Sequence, residues 1–71
     1  MNLNDAEPNK NYKIKFISGF HRQKLAELGF NPGCNIKITN KSHYNLLVIN
    51  CRDSQIALRK EEADCIFVES L

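Results

Sequence analysis

The stretch Arg22–Ile38, RQKLAELGFNPGCNIKI, issues three local instructions in succession. On a period of 3.6 residues, His21, Leu25 and Leu28 fall along one stripe, while Arg22, Gln23, Lys24 and Glu27 turn toward water, which predicts a short, one-sided helix. Gly29 then supplies the left-handed residue that ends a helix, and Phe30 can fold back on Leu25 as a Schellman stop requires. Pro32 and Gly33 hold the two central positions of a type II turn, the first with fixed negative φ and the second with positive φ. Beyond them Ile36 and Ile38 restart an alternation of period two, inward on a strand.

Outward from this stretch the pattern is that of strands. Upstream, YKIKF alternates, with Tyr12, Ile14 and Phe16 on one face and Lys13 and Lys15 on the other, and Ser18 is placed to cap the helix. Before it, Asn4–Asn11 is rich in turn formers, so Leu3 makes an isolated apolar contact ahead of a bend at Pro8-Asn9. Downstream, Asn40–Asn45 reads as an exposed loop, Arg52–Ser54 as a tight hairpin, and Lys60–Asp64 as a single helical turn. Between and after these, Ile56 and Leu58, then Ile66 and Val68, face a core. The run NLLVINC is ambiguous in phase, because Leu47, Ile49 and Cys51 share one face and Leu46 and Val48 the other. Five short strands with one short helix between the first two predict a mainly β, small, partly open barrel.

The bulk figures restrict what such a barrel can do. A chain of 71 residues forms one domain, 1–71. A domain of this size buries only about 60% of its unfolded surface, which leaves no deep enzyme cleft. Ten Lys and Arg against eight Asp and Glu give a net charge of +2 with the signs interspersed, whereas a dedicated nucleic-acid binder carries several coordinated cations on one face. Three cysteines at spacings far from CxxC fit a reduced cytoplasmic chain, and no apolar run matches a signal segment or a membrane span.

No constellation for catalysis, cofactor binding or metal binding emerges. His21, Cys34, His43, Cys51 and Cys65 stand singly, without the close local pair that soft metal sites recruit, and an inward Cys51 behaves as a small hydrophobe. His21 on the helix stripe reads as a packing residue, and His43 as solvated. A Cys/His nucleophile pair would still lack an oxyanion hole and a pocket, so the chain is read as a non-enzyme. LGFNPG has too few glycines, in the wrong order, to cradle phosphate. Two surfaces remain as partner-binding candidates: the polar helix face with Arg22 and Lys24, and the outer strand face with Leu46 and Val48, an apolar pair outside the core.

The succession YKIKFISG, RQKLAELGFNPGCNIKI and QIALRKEEADCIFV resembles the FeoA family over nearly the whole chain. The most specific likeness lies in Arg22, Leu25, Leu28, Gly29, Pro32 and Gly33 ahead of Ile36, and a second in Ile56, Ala57, Leu58 and Arg59 followed by Ala63, Ile66 and Val68. The resemblance implies a five-stranded SH3-like barrel with Leu47, Ile49 and Cys51 inward, leaving Leu46 and Val48 outside. Asn9 and Asp53 stand where the family often has glycine, and both residue types tolerate positive φ; Ala6 stands where a larger apolar residue is common. The resemblance further implies a cytoplasmic accessory adaptor of ferrous iron uptake, acting by contact with the GTP-binding part of a FeoB-type membrane transporter and compatible with a homo-oligomer. The competing expectations are a small-barrel nucleic-acid binder and a ferrous iron delivery protein using His and Cys.

Overall fold

Alternating apolar residues assemble one five-stranded antiparallel sheet, in strand order β4-β3-β2-β1-β5. The structure is a computed structural model that describes residues 1–41 and 46–71. The strands are β1 (Asn11–Ile17), β2 (Asn35–Lys41), β3 (Leu46–Cys51), β4 (Ser54–Arg59) and β5 (Ile66–Ser70). Helix α1 (Arg22–Glu27) fills the connection from β1 to β2, and α2 (Lys60–Ala63) carries the chain between the two edge strands, from β4 to β5. A single 3-10 turn, Leu3–Asp5, precedes β1.

One face of the sheet carries the core. Tyr12, Ile14 and Ile17 of β1, Ile36 and Ile38 of β2, Leu47, Ile49 and Cys51 of β3, Leu58 of β4, and Ile66 and Val68 of β5 are buried together with Leu3, Ala6, Leu25, Phe30 and Ala63. The register resolves the ambiguous strand: Ile49 lies opposite Ile38 and Ile56, so the Leu47 phase points inward. Leu46 and Val48 stand half-buried on the other face, opposite Arg59 and Ala57.

The two reversals after α1 take the conformations their residues dictate. Gly29 has φ +97°, Phe30 N donates to Leu25 O at 3.0 Å and Gly29 N to Ala26 O at 3.1 Å, the two bonds of a Schellman stop. Gly33 has φ +91° and Cys34 N donates to Asn31 O at 3.1 Å, closing the Pro-Gly turn. Asn9 takes the positive φ of the first turn, at 66°.

Five local expectations are corrected. Phe16 is not inward: the register shifts between Ile14 and Phe16, and the bulge inverts the alternation. Ile17 takes the core position, while Phe16 is 48% exposed. Ser18 does not cap α1, since its N donates to Cys65 O at 2.8 Å and the N-cap position belongs to His21, whose side chain makes no capping bond. Leu28 lies at the end of so short a helix that it emerges 39% exposed. Asn40 and Lys41 are in β2, opposite Val48 and Leu47, rather than in a loop; residues 42–45, His43 included, lie outside the described residues. In the hairpin the positive φ falls on Arg52, at 59°, rather than on Asp53.

Candidate partner-docking site

The bulge in β1 has a consequence on the surface. By turning Phe16 outward next to the inward Ile17, it opens a groove of about 190 Å³ between the end of β1, α1 and the Phe30–Pro32 segment. Arg22 and Ala26, one helical turn apart on the same face of α1, form one wall; Phe30, Asn31 and Pro32, held by the two reversals, form the other. Small-molecule sites occupy about 300 Å³ or more, so this groove suits a single protruding side chain rather than a cofactor.

Phe16 and Phe30 are the aromatic residues of its lining. Phe16 stacks on Phe67 of β5, its cross-strand partner, with centroids 4.7 Å apart and planes 14° from parallel. Phe20, just before α1, is 97% exposed and meets the His21 ring edge-on at 5.8 Å. Nothing in the helix stripe or in the strand alternation singles out Phe20, because it lies between the two elements; the only sequence sign is a large aromatic in a Ser-Gly-Phe-His connection. An almost wholly exposed phenylalanine, two residues before Arg22 of the groove wall, is the kind of anchor that protein interfaces bury.

The four residues singled out from the sequence do not converge. Arg22 lines the groove and belongs to neither of the two ion pairs found among the described residues. Lys24 points elsewhere: its Nζ donates to Glu62 Oε2 of α2 at 2.5 Å. Glu62 is the buried charged residue of the core region, and its other oxygen accepts from Arg59 N at 3.0 Å, the N3 half of a capping box. The Lys24 hydrogen bond, then the Arg59 backbone bond, hold the Glu62 carboxyl below the ordinary glutamate range. Leu46 and Val48, on the outer face of β3, are not among the residues lining the groove.

Among the described residues no group of three or more His, Cys, Asp or Glu could hold a metal ion, and no buried side-chain N or O lacks a hydrogen-bond partner. Cys34 and Cys51 do come together, both donating to Gly29 O, while Cys65 is elsewhere and donates to Glu61 O. No helix is long and apolar enough to cross a membrane among the described residues.

Comparison with known proteins agrees with this architecture. The FeoA domain family model matches residues 1–70. A FeoA-like protein from Clostridium acetobutylicum is 30% identical with a TM-score of 0.92, covering 100% of this chain and 86% of its own. An iron uptake regulatory protein of the FeoA type is 26% identical with a TM-score of 0.90, covering 100% and 97%. FeoA of Stenotrophomonas maltophilia, described as a prokaryotic SH3 domain protein and solved with zinc, is 22% identical with a TM-score of 0.85, covering 97% and 89%. No curated protein matches by sequence. A match over all but the last residue, joined to an SH3-like sheet with its helix in the first long connection, places this chain in the FeoA family, a family of small accessory domains associated with ferrous iron transport.

Proposed function

We propose that the domain is a non-enzymatic cytoplasmic adaptor that docks on the cytosolic GTP-binding part of a FeoB-type ferrous iron transporter. The supporting observation is the groove between β1, α1 and Phe30–Pro32, which is sized for one side chain and carries Arg22 on its wall, together with the almost wholly exposed Phe20 two residues before Arg22. An apolar anchor entering the groove, with a partner carboxylate on Arg22, combines burial with a charge-assisted hydrogen bond. The half-buried Leu46 and Val48 offer a second contact on the outer face of the sheet, apart from the groove, through which a transporter and a second copy of the chain can be held together. The test is direct binding of the transporter's cytosolic domain in its nucleotide-free, GDP-bound and GTP-analogue states. Saturable binding weakened by Phe20→Ser and by Arg22→Glu supports the adaptor; no binding in any state overturns it.

Ferrous iron delivery is the second reading, favoured by the zinc complex of the Stenotrophomonas relative. Anaerobic ferrous iron titration of the wild type and of a His21→Ala, Cys51→Ser variant separates the two, since an adaptor shows no saturable uptake in either. Nucleic-acid binding predicts a salt-dependent complex with RNA or DNA, which the interspersed charges and net +2 disfavour.

A further inference from the structure

The hairpin turn between β3 and β4 and the Schellman stop of α1 meet at one backbone atom. Cys51 Sγ lies 3.6 Å from Gly29 O and Cys34 Sγ lies 3.8 Å from the same oxygen, so two thiols from separate strands' ends donate to a single carbonyl. The ladder explains the meeting: Cys51 is opposite Ile36, and Cys34 precedes Ile36 by two residues, on the diagonal across which cross-strand side chains touch. Arg52, forced into positive φ at the turn, donates Nη2 to Cys34 Sγ at 3.6 Å.

We propose that Cys34 and Cys51 form a peroxide-sensitive dithiol, in which Cys34 is oxidised first and Cys51 resolves it as an intramolecular disulfide. The roles follow from the surroundings. Cys34 is half-buried and in contact with the Arg52 guanidinium at the surface, so of the two thiols it is the one a dissolved oxidant reaches first. Cys51 is buried, and burial, followed by the proximity of Cys34, pushes its thiol up, so it waits as the protonated partner. A reactive thiol poised beside a second cysteine is the arrangement that carries oxidation on to a disulfide before irreversible acids form.

The chemistry balances with a peroxide as the oxidant. The Cys34 thiolate attacks the O–O bond, forming S–O and releasing hydroxide, which takes up the proton that Cys34 lost to solvent. Cys51 sulfur then attacks the sulfenic sulfur, S–S forms as S–O breaks, and water leaves with the Cys51 proton. In total two thiols lose two electrons and one hydrogen peroxide becomes two waters. Rotation of each χ1 between staggered wells frees both sulfurs from the Gly29 carbonyl for this step.

The test treats the full chain with stoichiometric hydrogen peroxide, alkylates remaining thiols, and reads the intact mass and the peptide map. Before alkylation the expected product is lighter by about 2 Da; after alkylation it carries one label, on Cys65, against three on the reduced chain, with Cys34 linked to Cys51 until a thiol reductant restores both. Cys51→Ser is expected to stop at the sulfenic acid, trapped by dimedone on Cys34, and Arg52→Met to slow Cys34 oxidation severalfold while leaving Cys65 unchanged. Preferential oxidation of Cys65, or Cys34 ending only in intermolecular disulfides or higher acids, overturns the proposal. If Cys51→Ser does not fold by circular dichroism, the wild-type peptide map alone decides between these outcomes.

Discussion

Replacing Glu62 and Lys24, singly and together, measures the tie between the two helices. The Lys24 side chain is 61% exposed and that of Glu62 only 7%, so the pair sits between a surface ion pair and a buried one. A hydrogen bond to a charged group contributes about 1.5–3 kcal/mol, and the exposure of Lys24 discounts this toward about 1 kcal/mol. Glu62→Ala removes that bond and also the acceptor for Arg59 N, whose loss adds about 1 kcal/mol, for a total of about 2 kcal/mol. In a domain of this length that corresponds to a fall in Tm of about 8–16 °C. Lys24→Met keeps the aliphatic stem and removes only the charge, costing about 1 kcal/mol. Glu62→Gln retains an oxygen for Arg59 N, so the cycle Lys24→Met with Glu62→Gln isolates the ion pair. Urea unfolding of the four proteins is expected to give a coupling energy of about 1 kcal/mol. A coupling under about 0.3 kcal/mol, with m-values unchanged, refutes the assignment of Lys24 as a structural tie and returns it to the free polar face.

The same pair sets a pH dependence. The folded protein binds the Glu62 proton more weakly than the unfolded chain, so this stability is full above the ordinary glutamate pKa and is lost as pH falls through the lower folded-state value. Urea midpoints followed from neutral pH into that acid range are expected to fall more steeply for the wild type than for Glu62→Gln, and equal slopes would count against it. Phe20→Ser is expected to leave Tm within about 2 °C, because the ring is solvated, while weakening transporter-domain binding at least tenfold; a large Tm loss would show that the ring is packed. A Cβ at Gly29 meets no atom within 4 Å yet sits at φ +97°. Gly29→Ala is therefore expected to lose about 1–2 kcal/mol by urea unfolding, a loss that reports backbone strain alone. Arg52 is held at φ 59°. Arg52→Gly relieves that strain and is expected to be neutral or stabilising by up to about 1 kcal/mol in the same assay.

Much of the fold is legible residue by residue. The α1 stop and the Pro-Gly turn stand where Gly29 and Gly33 place them, and the alternations of β2 and β5 point inward as their spacing requires. The docking groove is half legible: a polar helix face marks Arg22, whereas simple alternation sends Phe16 to the core. Lys24 carries the same sequence signal as Arg22, a cation on a polar helix face, yet its Nζ is held by a carboxylate 38 positions along the chain.

What the sequence by itself determined are the features governed by local sterics and short periods: where α1 ends, where the chain turns at Pro32-Gly33, and that Ile36 shares a face with Ile38 and Ile66 with Val68. Tertiary structure alone decided which way Phe16 points, since a bulge depends on the register that β5 imposes on β1. It also decided that Lys24 meets Glu62 and that Cys34 meets Cys51. Those pairings arise from antiparallel strands and packed helices bringing distant positions together, and no local pattern encodes a distance between residues that the chain itself keeps far apart.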